Sequence, residues 1–324
     1  MSHEPALSAA YDLAVLDLDG VVYIGAHAVP GAIEALAAAQ EAGMHLAFVT
    51  NNASRSPAAV AAHLGEIGIE TGPEDVVTSA QAAAGVLAGE IPAGSAVFVI
   101  GGPGLHDALR ERGLVPVTSL DERPVAVVQG YGPDMPWRQV IDGALLVRDG
   151  LPWVASNTDL TVPTEHGPGP GNGTLVRLVA EYAGREPVVA GKPQPPLFRE
   201  TLARVGGRSP LVVGDRIDTD IEGARNVGWD SLLVMTGVTT LADLAAVAPD
   251  VRPTYVAADL SRLAQPKAPR SAWSAEVTDG ALRITGSGDL HGWWHAVATA
   301  LWAHLDDTGQ PASVEGVDPG SVTS

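Results

Sequence analysis

The sequence predicts an α/β protein, a parallel sheet covered by helices, with a small ββα unit behind it. Three observations lead there. Short apolar runs at residues 12–18, 45–50, 96–100, 125–129 and 211–213 each run into Gly, Asp or Asn, the mark of buried strands. Ala- and Leu-rich stretches of helical length lie between them, so strand and helix alternate. Beyond residue 270 the composition shifts, and four of the seven Trp (Trp273, Trp293, Trp294, Trp302) fall there.

The elements follow in order. Pro30 and Gly31 open a helix through about Gln40, which Gly43 ends. After the strand at 45–50, Ser56 is an N-cap and Pro57 a first helical residue. Strands are expected at 76–78 and 96–100, then at 125–129 and 152–155 around a helix at 137–147. Residues 163–173, PTEHGPGPGNG, read as a Pro/Gly loop too mixed in φ for regular structure, with a helix at 174–182. Short strands at 188–189, 211–213 and 231–235 precede a linker at 265–270. The tail reads as strands at 273–277 and 282–285 around an Asp279-Gly280 turn. A helix capped by Asp289 follows, with apolar residues at 290, 294, 297, 301 and 305, and fraying is expected from about 306.

Composition excludes several classes. With 46 % apolar and 18 % charged residues the 324-residue chain can bury a core, and its length suggests about two domains. Nineteen Lys plus Arg against 38 Asp plus Glu give a net charge of −19. Such a surface repels nucleic acid and anionic membrane, so neither is expected as a partner. It also repels a free phosphorylated metabolite, so a phosphate site here needs local positive charge. Cysteine is absent, which excludes disulfides, thiolate zinc sites and cysteine nucleophiles. The opening MSHEPALSAAYDL has neither the basic nor the apolar region of a signal peptide, and no apolar run reaches membrane length, so a cytoplasmic protein is expected. Lysine occurs only at Lys192 and Lys267.

Four predicted strands end in chemistry. The first runs into Asp17-Leu18-Asp19-Gly20, and two carboxylates at a strand's carboxyl end can share a metal and divide nucleophile from acid/base. The second runs into Thr50-Asn51-Asn52-Ala53-Ser54-Arg55, a hydroxyl and successive N–H groups ahead of a helix, which suit a phosphate. Ala190-Gly191-Lys192-Pro193 places a lysine where it can neutralise a phosphoryl oxygen, without the spacing of a nucleotide P-loop. Gly214-Asp215-Arg216-Ile217-Asp218-Thr219-Asp220 offers hard oxygen ligands suited to Mg²⁺. Singly, each has a plainer reading as a turn, a cap or a surface charge. The ordered set of four does not.

DLDGVV, TNNASR, AGKP and GDRIDTDI together resemble the haloacid dehalogenase superfamily, in its large-cap branch of NagD-like proteins, nitrophenylphosphatases and phosphoglycolate phosphatases. The resemblance covers about residues 12–262. It implies a Rossmann-like, doubly wound core in two parts, 12–79 and 187–264, an inserted α/β cap at 80–186, and an appendage at 271–324. It implies Asp17 as the nucleophile forming an aspartyl-phosphate, and Asp19 as the acid that protonates the leaving alcohol and then activates water. Thr50 and the Asn51 amide would bind phosphoryl oxygens, with Asn52 and Arg55 on the same substrate-binding loop and Lys192 neutralising charge. Mg²⁺ would be held by Asp17, Asp215 and the backbone carbonyl of Asp19, steadied by Asp220.

Asp19 argues for phosphate esters, because a halide leaves unprotonated. A large cap implies a small phosphorylated metabolite as partner. Family analogy puts glycerol 3-phosphate first, with 2-phosphoglycolate or a broad nitrophenyl phosphate-type specificity as alternatives. A phosphotransferase and a catalytically silent, phosphometabolite-binding regulator are the rivals. Cap-to-cap homodimers occur in that family, so a homodimer is a partner that the resemblance allows. Residues 283–288 resemble the pyrophosphate turn of an acetyltransferase fold, part of which tails some large-cap phosphatases of actinobacteria. The tail is too short for a complete acetyl-CoA site, so a structural or dimer-forming role is expected. His291 and His295 are expected to be exposed helix histidines.

Overall fold

The computed structural model describes residues 4–164, 166–267 and 272–317. The chain forms two compact units, Met1–Ala47 with Gly207–Ser324, and Phe48–Gly206.

In chain order, the first unit opens with β1 (Leu13–Leu16) and α1 (Ala32–Glu41). All four residues of β1 are buried, as a parallel strand covered on both faces requires. Strand β2 (His45–Thr50) begins in this unit, where the His45 N–H donates to the Asp12 carbonyl at 2.9 Å, and ends in the second.

In the second unit α2 (Pro57–Glu66) starts as the sequence predicts, the Ser56 hydroxyl accepting from the Ala59 N–H and Pro57 filling the first turn. Strand β3 (Val76–Thr78) pairs in parallel with the end of β2. Helix α3 (Ser79–Glu90) opens in a Thr78–Gln81 capping box and buries Ser79 through Ala84 together with Leu87. Small residues all round leave it no apolar stripe, so periodicity did not reveal it.

A five-stranded parallel sheet follows, lying wholly within the second unit. Its strands are β4 (Ala96–Ile100), β5 (Val115–Val117), β6 (Ala126–Gln129), β7 (Trp153–Ala155) and, after the hairpin described next, a short one at Val188–Val189. Helices α4 (Pro103–Glu111) and α5 (Trp137–Arg148) connect them. Residues 163–173 correct the sequence reading. Strands β8 (Thr161–Thr164) and β9 (Gly167–Pro170) form an antiparallel hairpin that pairs Thr161 with Pro170 and Thr164 with Gly167. A two-stranded ribbon is all edge, so its prolines interrupt no inner ladder. The Thr164 hydroxyl donates to the Gly167 carbonyl at 2.6 Å and closes the turn. Helix α6 (Asn172–Ala183) begins two residues before the expected 174. Its Val176 and Val179 join Val140 and Val147 of α5 over Phe98, Ile100 and Val127 of the sheet. The strand Val188–Val189 is β10, and α7 (Pro195–Val205) completes the unit.

The chain returns to the first unit with β11 (Pro210–Gly214), β12 (Asp230–Val234) and β13 (Tyr255–Ala257). Beside β1 they give the parallel order β13-β12-β11-β1. Part of the expected linker, residues 268–270, lies outside the described residues. The tail is a ββα unit of β14 (Ser274–Thr278), β15 (Ala281–Thr285) and α8 (Leu290–Thr308). The hairpin turns through Asp279 and Gly280, at φ 53° and 74°. The Asp289 carboxylate caps α8 by accepting from the Gly292 N–H at 2.7 Å.

Two expectations for the tail are corrected. Fraying does not begin near 306, because Arg252 forms a two-pronged pair with Asp306 at 2.7 Å and residues 312–317 fold back. There the Ser313 N–H donates to the Gly280 carbonyl at 2.7 Å, and Val314 and Val317 pack on the core. Residues 318–324 lie outside the described residues. His291 is buried, 5 % exposed, whereas His295 is exposed as expected. The face of α8 that carries Trp294, Val297 and Leu301 joins Leu233, Leu244 and Val256 in one apolar cluster. Asp289 already occupies the first turn of α8, so a pyrophosphate at residues 283–288 would meet a carboxylate.

Candidate active site

The first unit gathers carboxylates at the carboxyl ends of β1 and β11. Asp17 follows β1, and its N–H donates to the Val213 carbonyl at 2.9 Å. The next residues turn sharply. The Leu18 carbonyl accepts from the Val22 N–H, and Gly20, at φ +82°, donates to the Tyr23 carbonyl at 2.8 Å. Asp215 follows β11 and is fully buried, and its Oδ2 accepts from the Val238 N–H at 2.7 Å. Thr239 ties the Asp215 carbonyl through its hydroxyl at 2.6 Å, and the Thr236 hydroxyl holds the Gly20 carbonyl at 2.5 Å. Asp220 is fully buried, its Oδ2 accepting from the Arg216 N–H at 3.1 Å.

One oxygen each of Asp17, Asp215 and Asp220 lie within 4.8 Å of one another. Three carboxylates in that space form an oxygen-only donor set, which suits a hard cation such as Mg²⁺ and offers nothing to a soft one. Glycines make the room. A Cβ on Gly237 would lie 1.9 Å from Asp215 Oδ2, and one on Gly20 would lie 2.6 Å from the same atom. The Asp19 side chain is exposed and is not one of the three. Asp218 points outward and pairs with Arg216 at 2.7 Å, so the middle acid of the motif is set apart.

The second unit carries the polar residues. Thr50, 5 % exposed, ends β2, and its Oγ1 accepts from the Asn52 N–H at 3.0 Å. The Asn52 Oδ1 is engaged by the Ser54 N–H at 2.8 Å and the Ser54 hydroxyl at 2.7 Å. Arg55 is exposed. Lys192 is 3 % exposed, and its N–H donates to Asn51 Oδ1 at 2.8 Å. The structure therefore brings Asn51 and Lys192 together, while the Asn52 side chain serves its own turn. Three residues that the motifs do not single out also meet Asn51. The Ser79 hydroxyl and Asn157 Nδ2 both donate to its carbonyl at 2.6 Å, and Asp159 Oδ1 accepts from its Nδ2 at 3.3 Å.

The chain has known relatives. Residues 14–115 match the haloacid dehalogenase-like hydrolase family, and residues 189–263 match a second pattern of hydrolases of that kind. The D-glycerol 3-phosphate phosphatase of Mycobacterium tuberculosis is 42 % identical over 311 residues, 92 % of this chain and 87 % of that protein. The chain is a haloacid dehalogenase-like hydrolase. The crystal structure of the glycerol phosphate phosphatase of Mycobacterium tuberculosis with magnesium superposes on this hydrolase with a TM-score of 0.86, at 42 % identity, over 95 % of this chain and 94 % of that one. The p-nitrophenyl phosphatase of Archaeoglobus fulgidus gives a TM-score of 0.72 at 30 % identity, over 78 % and 98 % of the two chains. No helix among the described residues of the hydrolase is long and apolar enough to cross a membrane.

Proposed function

We propose that this hydrolase removes phosphate from small phosphomonoesters with Mg²⁺, by way of an aspartyl-phosphate on Asp17, and that glycerol 3-phosphate is its favoured substrate. The cluster of Asp17, Asp215 and Asp220 carries the reading, because a hard-cation site that includes a strand-end carboxylate is what phosphoryl transfer to an aspartate needs. The substrate rests on the 42 % identity to a D-glycerol 3-phosphate phosphatase.

In this reading an oxygen of Asp17 forms the new bond to phosphorus as the ester P–O bond breaks. Asp19 gives its proton to the departing alcohol. It then takes a proton from the water that splits the acyl-phosphate, which restores Asp17 and releases inorganic phosphate. Asp17, Asp215 and the Asp19 carbonyl, with Asp220 behind them, would hold Mg²⁺, whose charge would offset that on the phosphoryl oxygens. Thr50, the Asn51 N–H and Lys192 bind those oxygens, and Asn52 and Arg55 belong to the same loop. Positive charge from the metal and Lys192 is how a protein of net charge −19 binds a phosphate dianion. Residues 80–186 act as the cap that excludes bulk water and large substrates.

The test is phosphate release from a panel that includes glycerol 3-phosphate, 2-phosphoglycolate and p-nitrophenyl phosphate, with and without Mg²⁺, for the native protein and Asp17→Asn. Mg²⁺-dependent release, greatest with glycerol 3-phosphate and lost in Asp17→Asn, is expected. A broad profile would point instead to nitrophenyl phosphatase-like behaviour, in keeping with the likeness to the Archaeoglobus fulgidus protein. Binding of Mg²⁺ and phosphate with no release from any ester would make the chain a silent regulator and overturn the reading.

A further inference from the structure

We infer that the Asn51 side chain is a positioning residue that holds Lys192, and that it does not itself bind the phosphoryl group. The inference rests on the reading that Lys192 grips phosphoryl oxygens. Asn51 Oδ1 accepts from the Lys192 N–H at 2.8 Å, and Asn51 Nδ2 donates to the Lys192 carbonyl at 3.1 Å. The amide thus closes a two-bond ring on the backbone of one residue, as a neighbouring strand would. Nδ2 carries two hydrogens, and the second goes to Asp159 Oδ1 at 3.3 Å. None is left for a phosphate, and Oδ1 is an acceptor that a phosphoryl oxygen repels.

The backbone of the same loop is tied as fully. The Asn51 carbonyl accepts from the Ser79 hydroxyl and from Asn157 Nδ2, each at 2.6 Å, which uses both of its lone pairs. The N–H at the other end of that peptide, on Asn52, donates to Thr50 Oγ1 at 3.0 Å and leaves the Thr50 hydroxyl hydrogen for an anion. Asn157 is itself held, its carbonyl accepting from Asn172 Nδ2 at 2.7 Å. Gly191 lets the two loops meet, since a Cβ there would stand 2.4 Å from the Ser156 carbonyl oxygen and 2.6 Å from Asn51 Oδ1. Only a short side chain with one acceptor and two donors fits. Aspartate lacks the donors, and glutamine is one methylene too long.

The experiment measures inorganic phosphate, as a competitive inhibitor of turnover and by calorimetry at saturating Mg²⁺. It compares the native protein with Asn51→Ala, Lys192→Met, Gly191→Ala and the two double variants that contain Lys192→Met. Asn51→Ala and Lys192→Met should each weaken phosphate at least about tenfold, and the double variant should differ from Lys192→Met by less than about twofold. Gly191→Ala keeps the Asn51 side chain but forces the two loops apart, and should weaken phosphate like Asn51→Ala, again with no further loss on Lys192→Met. Losses that multiply in the double variants, or full phosphate affinity in Gly191→Ala beside weakened Asn51→Ala, would overturn the inference and make Asn51 a ligand. Native phosphate affinity in Lys192→Met would instead overturn the reading beneath it. A merely structural role would lower the melting temperature without this non-additivity. Should Asn51→Ala fail to fold, Gly191→Ala against Lys192→Met carries the same comparison.

Discussion

Asp215 is enclosed by backbone. Its Oδ2 takes the Val238 N–H, and the neighbouring Gly237 and Gly20 leave no space for a methyl group. Gly237→Ala must push the carboxylate out of its place, because a Cβ 1.9 Å from an oxygen has no tolerated position. We predict that the Mg²⁺ concentration for half-maximal activity rises about tenfold or more in Gly237→Ala, read from a metal titration of turnover. Asp17 and Asp215, which the structure gathers with Asp220, were legible in the sequence because each closely follows an apolar run, where a parallel sheet presents side chains to a ligand. Ser79 and Asn157 were not. They act by donating to the Asn51 carbonyl across 28 and 106 residues of sequence, and no local spacing encodes such a bond.

The elements that betrayed themselves were those with a strong local signal. Ser56-Pro57 opened α2, Asp279-Gly280 made the β14–β15 turn, and Asp289 capped α8. The Ala-rich α3, although alanine favours a helix, did not stand out because it has no apolar stripe, and the Pro/Gly hairpin β8–β9 was hidden because pairing, not propensity, decides it. The packing of α8 also leads us to expect a pH dependence. The Ser261 hydroxyl donates to Asp259 at 2.6 Å, so it accepts from His291 Nε2 at 2.8 Å, and His291 Nδ1 is left buried with no partner among the described residues. Burial holds the imidazole below its ordinary value of 6.5, with Arg262 reinforcing the effect and Asp259 and Asp289 opposing it. A histidine whose folded pKa is depressed binds its proton more readily in the unfolded chain. Its contribution is therefore complete above about pH 6.5 and is lost progressively as the pH falls toward the folded value. We predict that the melting temperature falls between about pH 7.5 and pH 5.5, and that His291→Asn makes this fall shallower. An unchanged slope in His291→Asn would remove His291 as its source.

At the scale of the whole molecule, alternating strands and helices give a parallel sheet in the first unit and a second parallel sheet in the other, with the tail packed on the first unit through Trp294, Val297 and Leu301. The class of fold was legible because buried parallel strands must be short apolar runs ended by turn residues. The extent of the tail was not, since Asp306 is held by Arg252 and Ser313 by the β14–β15 turn, contacts far off in the sequence. Under the proposed function, acids at the sheet edge that hold a cation would reconcile the net charge of −19 with a phosphorylated substrate. The most direct measurement is intact mass after acid quench during turnover of glycerol 3-phosphate with Mg²⁺. The account predicts a fraction of the native protein heavier by one phosphoryl group, located on the peptide that contains Asp17 and absent from Asp17→Asn. Steady phosphate release with no phosphorylated protein at any quench time, or an adduct that persists in Asp17→Asn, would contradict it.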